Sequence, residues 1–166
     1  LPGPKYNLSQ TRRYAGIMDA LSEANVPASN IREIDYHTVF GSSAESTSSY
    51  KPYEELFFPV NYTAVIGFND LQSYSAMEIL QKKGYRIPED ISLISFDHLR
   101  KTHTYLPPLT SIADNSEKSI ADTAVSILLD KIRNPSSEIS SEVLPVSIFD
   151  DHTTGPINET FAHSFE

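Results

Sequence analysis

Two short apolar runs separated by a helical repeat constrain this chain more than any other feature. Thr63-Ala64-Val65-Ile66-Gly67-Phe68 and Ile91-Ser92-Leu93-Ile94-Ser95-Phe96 are both nearly continuous in apolar or small residues and bounded by polar ones. A strand that shows such side chains on both faces belongs in a parallel sheet covered on both sides. From Leu71 to Lys83 the spacing of Tyr74, Met77, Ile79 and Leu80 turns helical, Gly84 stands at the C-terminal stop and Pro88 prevents immediate resumption. Strand, helix, strand over so short a distance predicts a right-handed βαβ unit of an open α/β sheet flanked by helices.

The flanking segments extend that pattern. Tyr14, Ile17, Met18, Leu21 and Ala24 predict a helix over about 9–25, closed by Asn25 and Pro27. Ile31 to Tyr36 alternates like a short strand, a Ser-rich loop spans 41–49, and Pro52 can open a short amphipathic helix running to Phe58. After β-like residues at 91–96, Asp97 to Pro108 reads as a polar loop and Thr110 to Ala113 as a brief strand. Ile120, Ala124, Ile127, Leu128 and Ile132 form one stripe of a helix over about 116–133, with Asn115 or Ser116 as its cap and Asn134-Pro135 as its end. Val143 to Phe149 predicts a last strand, and residues beyond Gly155 read as a frayed tail.

A chain of 166 residues suits one medium domain or one lobe of a larger protein. The first residues, Leu1-Pro2-Gly3-Pro4, carry neither a start Met nor a signal segment, and the expectation is a piece of something longer. A formal charge of -9 with no basic cluster argues against direct DNA binding, and no apolar run approaches a membrane span. The absence of cysteine removes thiol catalysis and Cys-ligated zinc and is compatible with a cytoplasmic address. Nucleophile elbow, phosphate loop, zinc helix and calcium loop motifs are all missing. His37, His98, His103, His152 and His163 are scattered without metal-ligand spacing, so neither metal nor cofactor is expected.

Position then supplies what motifs do not. Ligands of open α/β sheets sit outside the C-terminal ends of the strands, where Asn69-Asp70 and Asp97-His98 fall. Asn69 both donates and accepts, and Asp97 can accept from vicinal hydroxyls, a pair suited to a sugar-like ligand. Alternatively, Asn69 or Asp70 caps the next helix and Asp97 starts a turn. Arg12-Arg13 near the start of the first helix opposes the macrodipole, so Arg13 either projects toward the cleft or both arginines pair with acids such as Glu33 or Asp35.

In order and spacing, three blocks resemble the C-terminal part of the effector-sensing region of LacI/GalR-type bacterial transcription repressors, a region similar to periplasmic sugar-binding proteins. They are Thr63 to Asp70, Gly84-Tyr85-Arg86-Ile87-Pro88-Glu89-Asp90-Ile91 through Phe96-Asp97, and Pro107-Pro108-Leu109-Thr110-Ser111, with Arg13-Tyr14-Ala15-Gly16-Ile17 upstream and Leu144-Pro145-Val146-Ser147 downstream. The resemblance covers residues 1 to about 154 and implies one lobe of a two-lobed, type I periplasmic-binding-protein-like fold. It implies a C-terminal lobe over 1–112, a helix and linker over 113–142 that belong to a first lobe, a returning strand over 143–154 and a tail over 155–166, with the DNA-binding headpiece absent. The stripe of the helix at 116–133 is then partly exposed, which predicts self-association or a disordered helix.

Carried over one residue at a time, the resemblance implies that Arg13, Asn69 and Asp97 contact the effector. Phe68, where the family often has a small residue, can stack on a sugar face, although an apolar residue at a strand end also suits the core. Asp114 falls near another cleft position of the family. The implied partners are a small-molecule effector (sugar or sugar-like), a second copy in a homodimer through the helix at 71–83 and the loop at 98–106, and operator DNA only through the missing N-terminal domain. Asp150-Asp151 stand where the family commonly has a basic residue. Competing readings are a sugar-binding solute receptor of a transport system, and a small hydrolase or transferase using Asp70, Asp97 and His98, for which no nucleophile is evident.

Overall fold

Strand β1 (Ala64–Ile66) pairs in parallel with β2 (Ser92–Phe96), β2 in parallel with β3 (Thr110–Asp114), and β3 in antiparallel fashion with β4 (Val146–Phe149). The computed structural model describes residues 8–34, 56–116, 119–138 and 141–165. In the sheet order β1-β2-β3-β4 the register sets Val65 opposite Leu93 and Ser95 opposite Ser111, so these four share one face. Helix α2 (Asp70–Lys82) covers that face, with Met77 packed against Leu93 and Leu109. The expected βαβ unit is present.

Local chemistry explains why α2 starts and stops where it does. The Asn69 carboxamide oxygen accepts from the Gln72 N–H at 2.9 Å and caps its first turn. At its end Tyr85 N–H bonds Leu80 O and Gly84 N–H bonds Gln81 O, a Schellman closure that puts Gly84 at φ 91. Helix α1 (Leu8–Glu23) ends the same way, with Val26 N–H on Leu21 O, Asn25 N–H on Ser22 O and Asn25 at φ 56. Gly67 is required by a close approach: a Cβ there would lie 1.8 Å from Ser73 Oγ, which crosses to Ser95 Oγ at 2.7 Å.

Several sequence expectations change on contact with tertiary structure. Two-sided burial is realised on one face only, because Leu93 and Ser95 are buried under α2 while Ile94, Phe96 and Ile112 opposite are half-buried. Ile31–Ile34 form no strand; Arg32 instead donates to the carbonyls of Leu56 and Pro59 at 2.8 and 2.9 Å, tying the segment by its side chain. Residues 35–36 of that expected strand, the Ser-rich loop and most of the helix expected from Pro52 lie outside the described residues, leaving a short turn at 56–57. The later helix, α3 (Ile120–Arg133), is capped by Ser119 rather than Asn115 or Ser116, since Ser119 Oγ accepts from Asp122 N–H at 3.1 Å. Its apolar stripe is open, with Ile120, Val125, Leu128, Leu129 and Ile132 all exposed.

The chain after Gly155 does not trail away. Gly155 N–H donates to Ser92 Oγ at 3.1 Å, Asn158 caps the short helix α4 (Glu159–Ala162), and Phe161 packs edge-on against Tyr85 at 5.9 Å. The acids at 150–151 also have work in the fold. Asp151 pairs with Arg100 at 2.9 Å, while Asp150 accepts from the Thr110 hydroxyl at 3.1 Å and from His152 N–H, which holds its carboxyl below the usual range. They anchor the start of β3 and the loop after β2, where a basic residue would offer no acceptor.

Candidate functional site

Because β1, β2 and β3 run parallel, their C-terminal ends lie along one edge of the sheet, and Phe68-Asn69, Asp97 and Asp114 stand at those ends. Arg13, in the first half of α1, joins them from a sequence distance of more than fifty residues. Its Nη1 donates to Phe68 O at 2.9 Å and its Nη2 to Asp97 Oδ1 at 2.7 Å. The guanidinium carbon lies 5.0 Å from the Phe68 ring centroid and 4.9 Å from that of Phe96. Two aromatic rings, a carbonyl and a carboxylate therefore hold one cation, an environment Lys could not satisfy because it lacks the planar fork. Of the two early readings of Arg13, pairing with Glu33 is not realised, since Glu33 accepts from the Tyr14 hydroxyl; Asp35 lies outside the described residues.

Asp97 occupies an unusual backbone position. It has φ 100 and His98 has φ 50, two successive non-glycine residues in the left-handed region, where each costs about 1–3 kcal/mol and persists only when its surroundings impose it. Asp97 N–H bonds Ile112 O at 2.9 Å, and the His98 ring stacks on Phe149 with centroids 4.2 Å apart. The Asp97 side chain is 39% exposed, and its second carboxylate oxygen has no partner among the described residues. Beside a clamped guanidinium, that oxygen can accept from one hydroxyl while the arginine donates to the next.

Asn69 caps α2 through its side-chain oxygen and stands at the strand edge with its amide nitrogen uncommitted among the described residues. Phe68 is 6% exposed, with its ring against Arg13. Asp114 lies on the same edge, where it accepts from the Ser116 hydroxyl and from Ser116 N–H at 2.8 Å; the hydroxyl bond foremost holds its carboxyl below the usual range. Sequence reasoning missed Phe96, the second wall of the arginine clamp, although it ends the second apolar run as Phe68 ends the first. Asp70 also proves to be no exposed acid or base: it is 1% exposed and bonded to Ser111 and Leu99. Among the described residues no cluster of His and acids could hold a metal ion, and no helix is long and apolar enough to cross a membrane.

Residues 2–154 match the family model described as a periplasmic binding protein-like domain. The HTH-type transcriptional repressor PurR of Escherichia coli is 34% identical over 149 residues, which cover 87% of this chain and 41% of that protein. Thus the chain spans less than half the length of this relative. Among solved structures, the periplasmic binding protein/LacI transcriptional regulator from Alkaliphilus metalliredigens in complex with D-xylulofuranose superposes with a TM-score of 0.71 at 25% identity, covering 94% of this chain and 56% of that one. A LacI family regulator from Enterococcus faecium with bound ribose reaches 0.72 at 23% identity over the same shares, a likeness of fold alone.

Proposed function

We propose a function from one premise: the chain belongs to the periplasmic binding protein-like domain family, in the form that LacI/GalR-type regulators carry. Its parallel-strand edge binds a small-molecule effector, a sugar or sugar-like compound, and the whole protein is a transcription regulator, acting as a repressor, that responds to it. The observation that carries this reading is the Arg13 clamp, a guanidinium and a strained, half-exposed Asp97 held together at the edge where ligands of such sheets sit. Arg13, Asn69 and Asp97 contact the ligand, with Phe68 and Asp114 bordering them. The chain acts by binding rather than by catalysis, since effector closure of two lobes can shift the population of a dimer.

In this reading residues 1–112 and 143–154 form the C-terminal lobe, and 113–142 belong with a first lobe that covers the open stripe of α3. DNA is met only through a further domain, in the cytoplasm. Leu71 and Tyr105, 67% and 81% exposed, lie in the two segments assigned to the homodimer contact. The similarity to a repressor over most of this chain favours regulation over solute transport.

Thermal unfolding against a panel of sugars, phosphosugars and purines tests the reading. Ligand at 100 times its Kd stabilises by about 2.7 kcal/mol, several degrees in a domain of this size. Arg13→Ala and Asp97→Ala should each abolish that shift while remaining folded. A folded protein that responds to none of the panel overturns the effector assignment.

A further inference from the structure

Two successive left-handed residues persist only where neighbouring groups impose them, and the groups that do so here converge on one buried carboxylate. Asp97 N–H bonds Ile112 O, but the next two N–H groups look elsewhere: His98 N–H donates to Ser111 Oγ at 2.9 Å and Leu99 N–H to Asp70 Oδ2 at 2.6 Å. The Ser111 hydroxyl in turn donates to Asp70 Oδ1 at 2.8 Å. Asp70 thereby governs both N–H groups that follow Asp97, one directly and one through Ser111. It is 1% exposed and has no ion-pair partner among the described residues. Its charge is offset by its place as the first residue of α2 and by the two donors. Filling a corner with a buried carboxylate is costly when an apolar side chain would pack there. What a carboxylate alone offers is acceptance at both oxygens, whereas an isosteric amide must turn a donor toward one of the two groups.

We propose that Asp70 is the positioning residue of the cleft: it holds the backbone at 97–99 in the conformation that lays the Asp97 carboxylate on Arg13. The proposal rests on the reading of Arg13 and Asp97 as the ligand-contacting pair, but its physical content can be measured without a ligand. Because Asp70 sits at the N-terminus of α2, it also ties the start of that helix to the edge of the sheet.

The experiment is side-chain NMR of Arg13 in the wild-type protein, Asp70→Asn and Ser111→Ala. In the wild type, the guanidinium against Phe68 and Phe96 should give Nε–H and Nη–H signals displaced by the rings and slowed in exchange. In Asp70→Asn these signals should move to the positions of a free guanidinium, and exchange of the Leu99 amide should rise roughly tenfold; Ser111→Ala should move both the same way by less. A folded Asp70→Asn protein that melts at lower temperature but keeps the wild-type Arg13 signals overturns the proposal and leaves Asp70 a packing residue only. If Asp70→Asn fails to fold, Ser111→Ala carries the same decision. A folded wild-type protein that responds to no ligand, with the Arg13 signals still tracking Asp70, would remove the effector assignment and keep this inference. The reverse pattern would do the opposite.

Discussion

One strand, β2, has an arginine–aspartate pair near each end, and the two differ in nearly everything except chemistry. Before its first residue, Arg86 grips Asp90 by both carboxylate oxygens, at 2.5 and 2.8 Å, across a four-residue turn that holds the cis Ile87–Pro88 bond. After its last residue, Arg13 reaches Asp97 across 84 residues, with a single bond to the carboxylate and two aromatic ring centroids 5.0 and 4.9 Å from its guanidinium carbon. The first pair is local and closes a turn, with Asn158 adding a donor to Asp90 at 3.4 Å. The second is built by three separate segments and holds its acid in a strained backbone. A pair that only had to stabilise a turn would need no remote partner and no strain. The comparison separates an ion pair closed within one turn from one assembled by distant segments, the pair that the proposed function assigns to the ligand.

The largest test of that contrast is geometric. Gly67→Ala places a Cβ on Ser73 Oγ, so it should cost about 3 kcal/mol by forcing α2 off the end of β1, with loss of the Arg13 ring shifts as Phe68 moves. Chemical denaturation alongside NMR checks both, and a mild effect would show that the edge tolerates repacking. Arg13→Ala should cost less, about 1 kcal/mol, because its half-exposed pair is screened by solvent; a larger loss would recast the cluster as structural. Asp90→Asn probes the other end of the strand. The Arg86 hydrogen bond lowers the Asp90 carboxyl to about 2 from 3.8. This contribution is therefore present above about pH 4 and lost as pH falls toward 2. Asn should lower the melting temperature by a few degrees at neutral pH and flatten the acid limb between those values. Smallest of all, Lys82→Ala, which removes the exposed pair with Glu78, should leave both stability and the Arg13 signals unchanged.

How much of this was readable beforehand depends on distance along the chain. The βαβ unit, both ends of α2 and the positions of Asn69 and Asp97 could be read because each rests on periodicity or on a cap within a few residues. The same local reasoning misplaced the cap of α3 by a few residues and put a strand at 31–36, where the remote carbonyls of residues 56–59 tie Arg32 instead. It also left Asn69 undecided between cap and cleft; in the structure its amide oxygen takes the cap, and its amide nitrogen is uncommitted among the described residues.

By itself the sequence determined the βαβ unit and the helices that precede and follow it, and that an open parallel sheet presents its strand ends together, since these follow from preferences between near neighbours. Only the tertiary structure decided that Arg13 meets Asp97, that Phe96 completes the clamp, that Asp70 is buried beneath the corner and that the tail folds back on Tyr85. Each of those contacts joins residues far apart in the chain, and their hydrogen bonds and ring contacts exist only once the packing of α1 and α2 on the sheet has brought the partners within reach.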